Sequence, residues 1–139
     1  MVYKEKGGVS LKIFNLICVR KTQIENEELI LTNPLSEVNL PNLQRSFTFE
    51  IVFNFTDWTE TEVNKLKVVI KDCEEQSIFD SGYLEVPQPS TEKSATLGFK
   101  LNDFEVQKYG QHTVEIIESD EILASTIFFI NERDDQDGI

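Results

Sequence analysis

The chain of 139 residues holds one histidine, two cysteines, one methionine and one tryptophan. With a single imidazole, any Ser-His-Asp or Cys-His arrangement would have to be built on His112. A metal site would have only that ring and two distant thiols to draw on. The cysteines, Cys18 and Cys73, are too few for a dense disulfide framework. Each lies in a strand-like run and reads as a small buried hydrophobe with a free thiol. The six glycines form no G-x-G-x-x-G and no lysine-ending phosphate loop, and no G-x-S-x-G elbow occurs. No apolar run reaches the roughly eighteen residues of a spanning helix, so a membrane segment is not expected. Met1 to Gly8 has no hydrophobic core of the kind a secretion signal needs, and the expected location is the cytoplasm.

Positive charge is also sparse. Thirteen Lys and Arg stand against 25 Asp and Glu, a formal net charge of −12. From Glu115 onward there are eight acidic residues and one basic one, a net of −7. A field of that sign repels phosphate backbones and anionic lipid, so direct nucleic-acid or membrane binding is disfavoured, and it attracts a basic protein partner. The same surface also serves plain solubility. Aromatic residues interleaved with lysine or arginine, the mark of single-strand nucleic-acid binding, are missing.

What is present is β-pattern. Ten phenylalanines suit a half-buried pleated surface. In Ser46 to Thr56, Phe47, Phe49, Ile51, Phe53 and Phe55 share one parity and Thr48, Glu50, Val52 and Asn54 the other, so this segment predicts a central strand. Leu11 to Arg20 is apolar on both parities, which predicts cover on two sides or a bulge. Leu29 to Leu31 is a short strand ended at Asn33-Pro34. Val38 to Leu43 reads as an extended, proline-punctuated loop. Further strands are expected at Leu66 to Lys71, Ser77 to Phe79, Tyr83 to Val86 and Ala95 to Leu101. The last pair spans Tyr109 to Ile130 around a corner at Ser119-Asp120-Glu121. Thr59 and Glu62 have capping-box spacing, predicting one helical turn over Thr59 to Asn64. The domain plan is a flexible segment 1–10, a sandwich over 11–130, and a mobile acidic tail 131–139.

Candidate chemistry is thin. His112 shares the dry parity with Val114 and Ile116 and reads as a structural residue bonded to a nearby carbonyl. Asp135-Gln136-Asp137-Gly138 partly echoes a calcium loop, but Arg133 takes the first ligand position. The pairs Asp72 with Glu74 and Asp120 with Glu121 read as solvated turn charges rather than an acid–base couple. No enzyme activity and no cofactor are expected.

From Leu97-Gly98-Phe99-Lys100-Leu101 through Gly110-Gln111-His112-Thr113-Val114-Glu115-Ile116, the last third resembles the final strands of small immunoglobulin-like sandwich domains of bacterial and phage proteins. His112 stands where the corner tyrosine of that pattern falls. The resemblance implies an all-β, antiparallel immunoglobulin-like sandwich of roughly seven to nine strands. It carries no catalytic residues.

The functional expectation is a non-catalytic protein-binding module. Its sharper form is an acidic, phage-type inhibitor competing for a basic groove on a nucleic-acid-handling host defence protein. In that form Glu118, Asp120, Glu121, Asp134, Asp135 and Asp137 would stand in for phosphates, with Trp58 or Phe128 as an apolar anchor. The alternative is a self-associating assembly subunit, a homo-oligomer, motivated by the doubly apolar Ile127-Phe128-Phe129-Ile130.

Overall fold

The computed structural model describes residues 11–58, 63–88 and 93–133. Its strands in chain order are β1 (Lys12–Glu25), β2 (Glu28–Pro34), β3 (Glu37–Leu40), β4 (Ser46–Thr56) and β5 (Lys65–Lys71), then β6 (Ser77–Asp80), β7 (Leu84–Glu85), β8 (Ala95–Glu105), β9 (Gly110–Glu118) and β10 (Glu121–Glu132). A four-stranded sheet runs β2-β1-β4-β8. A six-stranded sheet runs β3-β10-β9-β5-β6, with β7 pairing β5 beyond β6. The chain changes sheet from β2 to β3, β3 to β4, β4 to β5, β7 to β8 and β8 to β9. That sets β1, β4 and β8 against β5, β9 and β10, an immunoglobulin-like strand order.

β4 is internal to its sheet, as its pattern predicts. Phe47, Phe49, Ile51, Phe53 and Phe55 are each at most 6% exposed. A one-residue slip would turn all five outward, at a cost on the order of 10 kcal/mol, comparable with the whole stability of a domain this size. Phe49 sits 5.2 Å from Phe47, 5.6 Å from Phe104 of β8 and 5.5 Å from Phe128 of β10, ring centroid to ring centroid. The last of these contacts crosses between the sheets.

The mixed parity of β1 is a bulge. Ile13 pairs with Phe55 and Cys18 with Ile51, both inward positions, and the register shifts between Phe14 and Ile17. Asn15, at φ +56°, takes up the extra residue, so odd positions face the core before it and even ones after it. Two hairpins close through two-residue turns with both residues left-handed: Asn26-Glu27 joins β1 to β2, and Ser119-Asp120 joins β9 to β10. Primed turns of this kind match the strand twist.

Five expectations change. Val38 to Leu43 is not all loop, because Glu37–Leu40 forms a parallel ladder with Phe129–Glu132. That pairing joins residues about ninety positions apart in the chain, which local turn chemistry cannot signal. The same ladder draws Asn131 and Glu132 out of the expected tail and into β10. Cys73 lies exposed in the β5–β6 turn, while Cys18 is buried and its thiol is pushed up to about 12 by that burial. Among the described residues the strands number ten rather than seven to nine, since β3 joins those foreseen. The helical turn expected over Thr59 to Asn64 falls largely on 59–62, outside the described residues; Val63 and Asn64 are not helical. No helix among the described residues is long and apolar enough to cross a membrane.

His112 lies in the core at 0% exposure, stacked on Phe128 with centroids 5.4 Å apart and planes 19° from parallel. Its Nδ1 is 3.0 Å from the carbonyl oxygen of Gly110, the bond expected of it, and its Nε2 is buried with no hydrogen-bond partner among the described residues. Burial pushes this imidazole below its ordinary pKa, against the opposing pull of the Gly110 carbonyl and the Asp72 charge. Asp72 is held below the usual carboxylate range chiefly by the N–H of Gln76 and also by that of Glu74.

Two outcomes are expected. Phe49→Ala should lower unfolding free energy by about 3–5 kcal/mol in chemical denaturation; a loss under about 1 kcal/mol would place the ring outside the core. Below about pH 6.5 the unfolded chain takes up a proton on His112 that the folded chain resists, so this residue's contribution is full above that value and falls away beneath it. Asp72 acts only at lower pH. The stability difference between the native chain and His112→Leu should therefore shift toward the variant between about pH 7 and pH 5. A difference constant over that range would contradict the buried neutral ring.

Candidate functional site

The β9–β10 turn gathers part of the expected contact set at one end of the sandwich. Glu118 accepts from the backbone N–H of Leu11 at 3.1 Å and from the Asn64 side-chain amide at 3.2 Å. Its carboxylate thus ties the start of β1 to the start of β5. Asp120 meets Tyr83 twice: the phenol donates to Oδ1 at 3.1 Å, and the Asp120 N–H donates to the phenol oxygen at 2.9 Å. Glu121 is exposed beside them. Trp58 is half-buried and meets Phe55 edge-on at 5.9 Å, covering this end of the core.

The remaining expected residues do not join them. Phe128 is fully buried, which removes it as a surface anchor: the register shift between Ile122 and Ala124 turns Phe128 and Ile130 inward and leaves Ile127 and Phe129 outward, 45% and 39% exposed. Glu118 is likewise an acceptor within the fold rather than a free phosphate mimic. Asp134, Asp135 and Asp137 lie outside the described residues. Among the described residues no three His, Cys, Asp or Glu side chains come together as a cation would require.

The feature that sequence reasoning missed is on the outer face of the four-stranded sheet. A groove of about 410 Å³ lies over Ile17 and Val52, which pair across β1 and β4 with outward side chains. Leu29 and Leu31 of β2, 44% and 37% exposed, form one wall. The other is a polar ladder across three strands. Asn15 donates to Asn54 Oδ1 at 3.1 Å, and the Asn54 amide donates to the Thr96 hydroxyl at 2.6 Å. The bulge that corrects the parity of β1 also aims Asn15 into this ladder. One signal was legible beforehand: Leu29 and Leu31 share a parity in a strand bounded by polar turns. Nothing local placed them beside Val52.

No protein-family model and no characterised protein sequence matches the chain. Solved structures do share its fold. The alkylpurine DNA glycosylase AlkC of Pseudomonas fluorescens, bound to DNA containing an abasic-site analogue, superposes with a TM-score of 0.55 at 12% identity, over 90% of this chain and 31% of that one. A β-glucosidase from Listeria innocua in complex with glucose gives 0.52 at 14% identity, over 88% of this chain and 16% of that one. An immunoglobulin-like protein from Pseudomonas aeruginosa is matched over 89% of this chain and 98% of that one, at 11% identity and a TM-score of 0.47. The chain therefore spans under a third of the glycosylase and about a sixth of the glucosidase. At these identities the likeness is one of fold, and the chain is a two-sheet, all-β sandwich with an immunoglobulin-like strand order.

Proposed function

We propose that this chain is a non-catalytic protein-contact module whose docking surface is the outer face of the four-stranded sheet. The observation that carries the reading is the makeup of the groove there. None of its eight lining residues is ionisable, in a chain where 27% of residues are charged. An apolar floor flanked by amide and hydroxyl groups suits an uncharged stretch of a partner: floor and leucines take an apolar side chain, and the free valences of Asn15 and Thr96 meet backbone amides. Support of a different kind comes from the glycosylase and the glucosidase, in each of which a sandwich of this shape makes up a minor share of a larger protein. The acidic-competition form draws on the net charge and on Glu121, but has less to stand on once Glu118 is tied into the fold and Phe128 into the core.

The test is retention of a native-host protein by the immobilised chain at low and high salt, alongside Leu31→Asp. A groove contact should persist as salt rises and weaken at least about tenfold in Leu31→Asp, whose unfolding midpoint stays near that of the native chain. Retention lost with salt but untouched by Leu31→Asp would overturn the groove reading in favour of a charge-driven one.

A further inference from the structure

Strand β8 is bonded on one side only. Its ladder to β4 runs from Ala95–Phe55 to Glu105–Ser46, and no other strand among the described residues joins it. In the usual immunoglobulin-like order a further strand flanks this position. Here the strand before β8 lies elsewhere: Leu84 and Glu85 of β7 pair with Leu66 and Lys65 of the other sheet. Among the described residues an edge of eleven residues without a proline is left open. Of the devices that blunt such edges, it has one lysine, Lys100, and a bulge near Asp103 at φ +54°.

The core beneath this edge is incompletely covered. Ala95, Leu97 and Phe99 pair with the inward residues Phe55, Phe53 and Ile51, yet all three are only half-buried, whereas Leu101 and Phe104 farther along are buried. On this flank Phe99 meets Phe79 of β6, the edge of the facing sheet, at 5.9 Å. An added strand would cover Leu97 and Phe99.

Charge selects what that strand can be. Ala95 to Asn102 carries one lysine and no acid in a chain of net charge −12, so two copies can approach here without bringing acid against acid. The stretch is also complementary to itself when antiparallel. A two-fold axis at Phe99 sets Lys100 against Gly98, Leu97 against Leu101, Thr96 against Asn102 and Lys93 against Glu105. An axis at Gly98 sets Lys100 against Thr96 and Lys93 against Asp103. Neither register opposes like charges, and both give Lys93 an acidic neighbour. A side chain at Gly98 would meet no atom within 4 Å, leaving space for the facing Lys100.

We propose that two copies of this chain pair antiparallel through β8, making one continuous sheet from the two four-stranded sheets. The dimer is isologous, with each copy giving and receiving the same ladder. This inference rests on a backbone edge and is independent of the groove reading.

Sedimentation velocity of the intact chain over a range of concentrations, with Gly98→Lys beside it, tests the pairing. The native chain should show a monomer–dimer equilibrium. Gly98→Lys sets lysine against lysine in either register and should weaken the dimer at least about tenfold, with an unchanged unfolding midpoint at concentrations where both chains are monomeric as the fold control. Amide exchange should slow on dimerisation within 95–102. A monomer at every concentration, a dimer indifferent to Gly98→Lys, or protection confined to β2 or β10 would each overturn the proposal.

Discussion

The structure depends on which face of β4 is dry. Phe49 and its neighbours can be buried together only if the strand is internal and if a second sheet supplies the other half of the cavity they fill. Phe128 does so from β10, and its ring against Phe49 links the two sheets. Once that contact is set, the bulge at Asn15 has to bring Ile13 and Cys18 to one side of β1. The turn at Ser119-Asp120 likewise has to bring β10 back with Phe128 and Ile130 inward. Each of these local irregularities reconciles a neighbouring strand with the inward face of β4.

A chain this acidic uses some of its carboxylates as acceptors inside the fold. Glu118 takes hydrogen bonds from the start of β1 and from Asn64, Asp72 from the backbone of its own turn, and Glu50 from Thr22. An ionised carboxylate can take several such bonds, which is why acid residues suit the places where strands begin and turns close. Net charge therefore overstates the negative surface a partner would meet. His112 is the converse case, an ionisable ring stacked on Phe128 whose burial favours the neutral form.

Two parts of the surface stand apart from the acid. The groove over Ile17 and Val52 is bounded by side chains without charge, and the free edge of β8 carries only Lys100 along its first eight residues. Both belong to the four-stranded sheet. Along the opposite outer face, Lys71 and Glu115 pair at 3.4 Å, so that face is chemically mixed.

Period-two alternation was enough to find β4, β5, β8 and the closing hairpin, and the inward parity of His112 followed from Val114 and Ile116 two and four residues on. These are local properties: side chains two apart in a strand share a face whatever the strand packs against. The parallel pairing of Glu37–Leu40 with β10, the burial of Phe128, the capture of Glu118 and the groove between Leu31 and Val52 were not legible. Each joins residues far apart in the chain, and the register that joins them is set by the filling of a shared core. The amino-acid sequence by itself determined which segments extend and which of their faces avoid water. Only the tertiary structure decided which strands became neighbours, because that choice minimises the exposed apolar area of the whole chain rather than of any segment.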